Sequence, residues 1–358
     1  MRARELGIAI GRGTPGRHNA ITDVPGVRVG HTTLIEGDAV RTGVTLILPH
    51  EGDPSAEPVF AGSHRLNGNG ELTGLEWVRE SGLLTTPIGL TNTFSIGVVH
   101  DALIAAAMRQ PEAADWHLPV VGETYDGFLN DIVGMHVRPE HVEQALAAAE
   151  DGSVAEGNVG GGTGMSCHGF KGGIGTSSRV LAEDAGGYTV GVLVQANYGR
   201  RERFRVDGLP VGAAIGDRIP TPSEGGEAGG GSIIVVAATD APLLPGQCDR
   251  LAQRVALAIG RMGGLGENSS GDLFFAFATG NRGLGAAVHA SHAAMVPIAM
   301  VPHPRMNAFF EAVVAATEEA ILNAMLAAET MTGRDGNTVY ALDPDVLVQT
   351  LARLRPKD

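Results

Sequence analysis

The sequence predicts an α/β protein in which residues 1–358 form one domain, because no internal repeat or domain-scale linker divides it. Apolar and β-branched runs typical of strands recur along the chain, and segments with helical periodicity lie between them. That alternation is typical of a parallel sheet, but several strands follow one another without a helix and the longest helices come late. Mixed or antiparallel sheets sandwiched between helices are therefore at least as good a prediction.

Strands are predicted where apolar runs are bounded by glycine, proline or polar turns. The predicted strands are Gly43–Leu48, Pro87–Leu90, Leu118–Val121, Tyr188–Gln195, Ser232–Ala238 and Leu273–Ala278. Helices are predicted where apolar residues recur at three- and four-residue spacing, with proline near the start or glycine after the end. The predicted helices are Thr73–Arg79, Ile96–Met108, Pro139–Glu150, Gln247–Met262, Asn307–Met331 and Pro344–Leu354. The 52 glycines indicate many tight turns and close approaches of the backbone.

Composition and charge exclude several classes of protein. The net charge of −14 and the absence of a basic run argue against a nucleic-acid partner, which requires clustered Lys and Arg. The charged segment Met1–Gly7 leads to no apolar region of a signal peptide, and no stretch is apolar enough to span a membrane. Cys167 and Cys248 lie far apart without a CxxC motif, which excludes a disulfide framework. We expect a cytoplasmic protein without nucleic-acid or membrane partners.

Two glycine-rich loops match nucleotide-binding motifs only formally. Gly11–Gly16 satisfies GxGxxG, but Pro15 and the residues after it indicate a loop instead of the strand and helix that the dinucleotide motif requires. In Gly160–Lys171, the residue after the lysine is Gly172, where a phosphate-binding loop has Ser or Thr. We interpret the second loop as a tight backbone turn packed under a site. Neither loop predicts a bound nucleotide.

The histidines and serines form no familiar metal or triad motif. No HExxH is present, and His289 and His292 have no carboxylate nearby in sequence, although a zinc or iron site needs three or four converging ligands. No GxSxG elbow of a triad hydrolase occurs. The sequence therefore predicts no metal and no cofactor, and a serine nucleophile must obtain its base in another way.

The most informative feature is the glycine-rich tract Glu224–Gly231, which stops abruptly at Ser232 and the β-branched run that follows. Taken alone, this pattern favours a surface loop that enters a strand. The alternative is that the chain cuts itself between Gly231 and Ser232. Ser232 would then become a new N-terminus whose α-amine, with a pKa of roughly 7.7–8.0, can serve as its own base.

Three polar clusters flank predicted strands. Gly122–Gly127 and Gln195–Gly199 each follow one, and Asn268–Asp272 precedes another. Each cluster alone is typical of a turn or a cap. Active sites in sheet proteins gather at strand ends, however, so three such clusters together with Ser232 indicate a site built from separate loops.

Several segments carry a family resemblance. They are Ala20–Thr33, Asn67–Gly74, Pro87–Thr93, Gly160–Arg179, Gly231–Ala237 and Glu329–Gly336. In this order, and over essentially the whole chain, they resemble the DmpA/BapA family of self-processing N-terminal-serine aminopeptidases. The resemblance favours the cleavage site over the surface loop at Ser232.

The resemblance implies a four-layer αββα sandwich of the DmpA/ornithine acetyltransferase type, similar in layout to N-terminal-nucleophile hydrolases. It implies cleavage into an α-chain of residues 1–231 and a β-chain of residues 232–358, and a homo-oligomer of the processed αβ heterodimers. The implied activity is the release of N-terminal residues from short peptides, amides or esters without a cofactor. The sequence does not distinguish L-, D- and β-residue substrates.

The resemblance also assigns roles to individual residues. Ser232 matches the nucleophile, and Tyr125 and Asn197 match a pair of oxyanion-hole donors. Glu123 matches a carboxylate that can pair with the free ammonium of a substrate, which would give an aminopeptidase instead of an endopeptidase.

Ser270 and Asp272 match a Ser-x-acid element, although some family members carry glutamate in place of Asp272. The general base stays open between the α-amine of Ser232 and Ser270 held by Asp272. Two other functions also stay open: an ornithine-acetyltransferase-like acyl transferase, whose nucleophile would be threonine, and an inactive binding or assembly protein of the same fold.

Overall fold

Two β-sheets lie face to face at the centre of the protein, and helices cover the outer surface of each. The computed structural model describes residues 1–110, 116–216, 231–285 and 295–355. Within these residues the layers follow the order αββα, which confirms the predicted four-layer sandwich.

The strands are β1 (Arg28–Glu36), β2 (Val40–Leu48), β3 (Val59–Gly68), β4 (Leu83–Leu84), β5 (Ile88–Asn92), β6 (Val120–Thr124), β7 (Ser166–Cys167), β8 (Phe170–Lys171), β9 (Gly173–Val180), β10 (Thr189–Asn197), β11 (Ser232–Thr239), β12 (Gly271–Ala278), β13 (Met331–Thr332) and β14 (Thr338–Val339). The helices are α1 (Leu75–Ser81), α2 (Ile96–Ala107), α3 (Pro139–Ala147), α4 (Val211–Ala214), α5 (Pro245–Arg261), α6 (Met306–Ala327) and α7 (Pro344–Leu354).

Both large sheets are mixed. The first has the strand order β1-β2-β5-β6, and the second has the order β4-β3-β12-β11-β10-β9. The pairs β5–β6 and β11–β12 are parallel, and the other pairs in these two sheets are antiparallel. Of the two sheet types that the sequence left open, the structure has the mixed one. Two short hairpins, β7–β8 and β13–β14, complete the strands described.

Three apolar cores hold the four layers together. Between the sheets, Ile234 of β11 belongs to one core with Ile88 and Leu90 of β5. The neighbouring Ile233 points to the opposite face and joins the core under α5 and α6, whereas α2 and α3 cover the first sheet. A strand buried on both faces shows no polar alternation, which explains the uninterrupted apolar run of residues 233–238.

The strands that were predicted are confirmed, but other strands of the two sheets were not predicted. All six predicted strands are present, with ends displaced by up to three residues. The apolar pattern predicts no strand over β1, β3 or β9. Those three contain Gly, Ser, Thr and charged residues within the strand, because the fold buries or pairs polar side chains there.

The predicted and observed helices differ mainly in where they end. The predicted helix Asn307–Met331 ends at Ala327, because the side chain of Asn158 hydrogen-bonds both the N–H and the carbonyl of Glu329 and holds it extended. The predicted helix Pro139–Glu150 ends at Ala147, because Glu150 exchanges two backbone hydrogen bonds with Val29 of β1. Tertiary pairing therefore ends both helices before their local sequence does.

Three further predictions can be compared with the structure. The loop interpretation of Gly11–Gly16 is confirmed, since Thr14 forms an isolated bridge to Val180 and no strand precedes the segment. Of the glycine tract Glu224–Gly231, only Gly231 is among the described residues. In the part of the chain that the structure describes, no helix combines the length and the hydropathy that crossing a membrane requires.

A buried ion pair joins β9 to α6. Nη2 of Arg179 lies 2.7 Å from Oε2 of Glu319, and neither side chain is more than 1% exposed. Glu319 also accepts hydrogen bonds from Nδ2 of Asn19 at 2.6 Å and from Nε of Arg4 at 2.9 Å. One carboxylate thus ties the N-terminal segment and the second sheet to the longest helix.

Glu319→Gln is expected to lower the free energy of unfolding by roughly 3 kcal/mol or more, because it leaves Arg179 charged and unpaired in the core. Urea denaturation measures this loss. Glu311→Gln, at an exposed position of the same helix, is the matched control and is expected to stay within about 0.5 kcal/mol of the unmodified protein. Equal stabilities of the two variants would contradict this role for the ion pair.

Candidate active site

Ser232 is the first residue of β11 and lies at one end of the gap between the sheets. Its side chain faces the first sheet, as that of Ile234 does two residues later, because side chains alternate along a strand. Ser232 is 5% exposed, and its Oγ accepts a hydrogen bond from the N–H of Gly271 at 3.1 Å. Asn197 of β10 lies directly opposite in the antiparallel pairing.

The residue before Ser232 has no room for a side chain. A Cβ on Gly231 would clash with the carbonyl oxygen of Asn197 and lie 2.6 Å from the Cα of Tyr198. The last glycine of the tract is therefore required by close packing against the end of β10. This places the Gly231–Ser232 peptide bond tightly against the polar residues at that end.

Asn197 is held in one orientation by two hydrogen bonds. Its Oδ1 accepts from the N–H of Ser166 at 2.8 Å, and its Nδ2 donates to the carbonyl of Tyr125 at 3.0 Å. The second N–H of Nδ2 has no partner among the described residues. The Tyr125 side chain is 46% exposed and lies over Gly127, where a Cβ would clash with its phenol oxygen. The free N–H of Asn197 is thus a hydrogen-bond donor opposite Ser232, and the Tyr125 backbone is held next to it.

Ser270 directly precedes β12 and Asp272 is its second residue, and both lie next to Ser232 because β12 runs parallel to β11. The Ser270 hydroxyl donates to Oδ1 of Asp272 at 2.6 Å, and the N–H of Asp272 donates to Oδ1 of Asn67 at 2.8 Å. Burial raises the pKa of Asp272 to about 6, while the Ser270 hydrogen bond acts in the opposite direction. Gly271, between the two, is the residue whose N–H contacts the Ser232 hydroxyl.

Glu123 of β6 is a buried carboxylate close to the same backbone. Its Oε1 accepts from the N–H of Glu71 at 3.0 Å, and its Oε2 accepts from the Thr93 hydroxyl. Burial raises the pKa of Glu123. A Cβ on Gly70 would lie 3.0 Å from Oε1 of Glu123 and 3.0 Å from the Cα of Gly271. Only two glycine backbones therefore separate this carboxylate from Ser232.

The structure brings all of the predicted site residues to one end of the two sheets. They are Ser232, Ser270, Asp272, Asn197, Tyr125 and Glu123. Sequence reasoning did not single out their supports Asn67 and Thr93, although both lie in segments that carry the family resemblance. Ser166 also lies in such a segment, Gly160–Arg179, but its residue type carries no signal because it acts through its backbone N–H.

Metal ligation is not indicated among the residues that the structure describes. No group of three or more His, Cys, Asp or Glu side chains is placed there to hold an ion. The predicted non-ligands His289 and His292 lie outside the described residues. Cys167 and Cys248 are both buried and unpaired.

Comparisons with known proteins agree with this arrangement. A family model described as peptidase family S58 matches residues 19–339. The β-peptidyl aminopeptidase BapA of Sphingosinicella microcystinivorans is 47% identical, over 99% of this chain and 92% of that protein. A solved structure of a Burkholderia sp. β-aminopeptidase is 56% identical, with a TM-score of 0.94 over 99% of this chain and 100% of that one.

A second solved structure is similar in fold and in description. The L-aminopeptidase D-Ala-esterase/amidase of Ochrobactrum anthropi is 43% identical, with a TM-score of 0.89 over 99% of both chains. It is described as a prototype of the serine aminopeptidases and a variant of the Ntn hydrolase fold. These matches confirm the predicted family resemblance, and they favour an aminopeptidase over the acyl-transferase and inactive alternatives.

Asp272→Asn tests the burial of the site carboxylate through the pH dependence of stability. The folded-state pKa of about 6 lies above the usual 3.8, so the folded protein holds the proton more tightly than the unfolded chain does. Ionised Asp272 therefore lowers stability as the pH rises through this interval. The asparagine variant avoids that cost, so its stability relative to the unmodified protein should rise by about 2 kcal/mol from about pH 4 to about pH 7.

Free energies of unfolding from urea denaturation at the two pH values measure this difference. Asp38→Asn, on the exposed turn between β1 and β2, is the matched control. An equal change for both variants would contradict the account of Asp272.

Proposed function

The chain belongs to peptidase family S58 and is an aminopeptidase, and we propose that it cuts itself before Ser232 and then uses that serine as its nucleophile. The observation that carries the proposal is the position of Ser232. Ser232 is the first residue of β11, and its hydroxyl accepts a hydrogen bond from the N–H of Gly271. The residue before it, Gly231, is packed against the end of β10. Ser232 becomes an accessible terminus once the preceding peptide bond is cleaved.

The proposed self-cleavage begins with attack of the Ser232 hydroxyl on the carbonyl of Gly231. The C–N bond of that peptide breaks, and the acyl group moves from nitrogen to oxygen to form an ester. Water then hydrolyses the ester, which frees the Gly231 carboxylate and the Ser232 α-amine. The products are chains of residues 1–231 and 232–358. Glycine supports this step because its backbone can adopt strained dihedral angles at little steric cost.

In the proposed peptidase reaction the same hydroxyl attacks the carbonyl carbon of the first residue of a substrate. The proton passes to the α-amine of Ser232, or to Ser270 as that hydroxyl gives its own proton to the Asp272 carboxylate to which it is hydrogen-bonded. The leaving amine departs with a proton, and water hydrolyses the acyl-enzyme. Asn197 Nδ2 and the Tyr125 hydroxyl are the proposed donors to the oxyanion, and each such donor contributes on the order of 3–4 kcal/mol to transition-state stabilisation.

Glu123 is the proposed partner of the substrate's free ammonium. Its carboxylate is 3% exposed and keeps only two hydrogen-bond donors, the Glu71 N–H and the Thr93 hydroxyl, among the described residues. An incoming ammonium would favour the ionised carboxylate and offset the effect of burial on its pKa. An ion pair at this depth would select substrates with a free N-terminus.

The proposed substrates are short peptides, amides and esters, with N-terminal β-residues among those accepted. Support for β-residues comes from the names of two relatives, the β-peptidyl aminopeptidase at 47% identity and the β-aminopeptidase at 56% identity. The proposed setting is the cytoplasm, in keeping with the acidic net charge of −14. The proposed assembly is a homo-oligomer of processed αβ heterodimers without a nucleic-acid partner.

Mass spectrometry of the purified protein tests the self-cleavage. Two chains are expected, one ending at Gly231 and one beginning at Ser232. Ser232→Ala should remain a single chain and lose hydrolysis of aminoacyl p-nitroanilides, since it lacks the nucleophile for both reactions. Ser269→Ala, at an exposed neighbouring serine, is the matched control and should be processed and active. An active, uncut enzyme would rule out the processing step.

Glu123→Gln tests the recognition of the ammonium, with β-homoalanyl and L-alanyl p-nitroanilides as substrates. Both are expected to be hydrolysed by the unmodified enzyme, and the variant should lose roughly 10- to 100-fold in kcat/KM, mainly through KM, because a buried charge-assisted contact is removed. Glu71→Gln, which keeps the backbone N–H that contacts Glu123, is the control and should change kcat/KM by less than about threefold. An unchanged KM for Glu123→Gln would contradict this role.

A further inference from the structure

Lys171 is an unusual residue in this chain. Lysine and arginine total 26, and only two of these are lysines, Lys171 and Lys357. Lys171 is completely buried at the end of the hairpin β7–β8. Because lysine is rarely buried without a partner, its place in the core requires a local reason.

The ammonium group of Lys171 meets three backbone carbonyls. Nζ lies 2.6 Å from the carbonyl oxygen of Met165, 2.9 Å from that of Gly172 and 3.4 Å from that of Gly162. An ammonium has three donors, so each N–H has one acceptor. The planar guanidinium of arginine could not direct its donors to three converging carbonyls in the same way. The site therefore fits lysine specifically.

Asp126 is the buried carboxyl group that acts on Lys171, at longer range than a direct ion pair, and burial raises its own pKa to about 7. Both side chains are fully buried, and the Asp126 carboxylate opposes the lowering of the Lys171 pKa by burial. The loop that Lys171 holds packs directly on Asp126, since a Cβ on Gly164 would lie 2.8 Å from the Cβ of Asp126. Oδ1 of Asp126 accepts from Nδ2 of Asn130 at 3.0 Å. The second titratable group facing this ammonium is the Cys167 thiol, which is neutral because burial raises its pKa to about 12.

Lys171 is connected to Asn197 through the hairpin. Met165 and Gly172, which its ammonium binds, stand immediately before and after the hairpin, and they are also joined by a backbone hydrogen bond of 3.0 Å. Ser166 lies opposite Lys171 in the β7–β8 pairing. The N–H of Ser166 is the donor that fixes Oδ1 of Asn197, at 2.8 Å.

Asp126 is connected to the other side of the same amide. It directly follows Tyr125, whose carbonyl accepts from Nδ2 of Asn197 at 3.0 Å. The backbone carbonyl of Asp126 accepts from the N–H groups of Leu129 and Asn130, each at 3.0 Å, which fixes the chain after Tyr125. The buried pair thus supports both hydrogen bonds that orient the Asn197 side chain.

We propose that Lys171, together with Asp126 on the other side of the amide, is a positioning residue that directs the free N–H of Asn197 toward the oxyanion. This inference rests on the proposed function, in which Asn197 is an oxyanion donor. Lys171 itself touches neither the substrate nor Ser232. Its effect is confined to the transition state, because the orientation of Asn197 matters most when negative charge develops on the carbonyl oxygen.

A double-mutant cycle with Lys171→Met and Asn197→Ala tests this coupling. Each single variant is expected to lower kcat by roughly 10- to 1000-fold with little change in KM, because the lost interaction belongs to the transition state. In the Asn197→Ala background, Lys171→Met should lower kcat no further. Lys357→Met, which removes the only other lysine, is the control and should retain full kcat. The proteins compared are the processed chains with matched thermal unfolding midpoints.

Asp126→Asn keeps the shape of the side chain, and it takes the place of Lys171→Met in the cycle if the latter does not fold. Equal losses of kcat from Lys171→Met in both backgrounds would overturn the inference, because Lys171 would then act apart from Asn197. If Lys171→Met keeps full kcat while Asn197→Ala is impaired, the inference about Lys171 is also overturned, and the oxyanion role of Asn197 still stands. Full kcat in Asn197→Ala would instead refute the oxyanion role, and the inference with it.

Discussion

The site depends on the placement of β11 between a parallel and an antiparallel neighbour. Because β12 runs parallel to β11, the starts of both strands lie at the same edge, and Ser232 meets Ser270 and Asp272. Because β10 runs antiparallel, its last residue, Asn197, lies opposite the first residue of β11. Facing that edge, β6 of the other sheet ends at Thr124, and Tyr125 follows it. A purely parallel sheet would not place the end of one strand beside the starts of two others.

Glycine makes this density of polar groups possible. The end of β10, the start of β11 and the loop before β12 approach one another so closely that Gly231 and Gly271 have no space for a Cβ, and Gly70, in the loop after β3, has little. Their backbone N–H and carbonyl groups then lie within reach of buried side chains, as the contact between the Gly271 N–H and Ser232 illustrates. At this edge, glycines therefore stand where the chain packs closely against itself around the polar side chains of the proposed site.

The sequence predicts those parts of the structure that depend on local residue patterns, and it misses those that depend on contacts between distant residues. Central strands such as β11 are buried on both faces, so their apolar runs predict them directly. Strand β9 carries the buried Arg179, whose partner Glu319 is distant in sequence, and no local pattern indicates that pairing. The proposed site residues come from the family resemblance, which assigns them by position, and the structure brings them to one edge. From the sequence, Lys171 is only a lysine in a loop that does not match the phosphate-binding motif. Its proposed role depends on three backbone carbonyls that come together only in the folded chain.

The proposed reaction passes through a covalent acyl-enzyme on Ser232, and this intermediate can be trapped. The enzyme is quenched in acid during turnover of a slowly hydrolysed β-aminoacyl ester, digested and analysed by mass spectrometry. We expect a peptide that begins at Ser232 and carries the acyl group on the hydroxyl oxygen of that serine. An acyl group on Ser270, or on any residue other than Ser232, would contradict it.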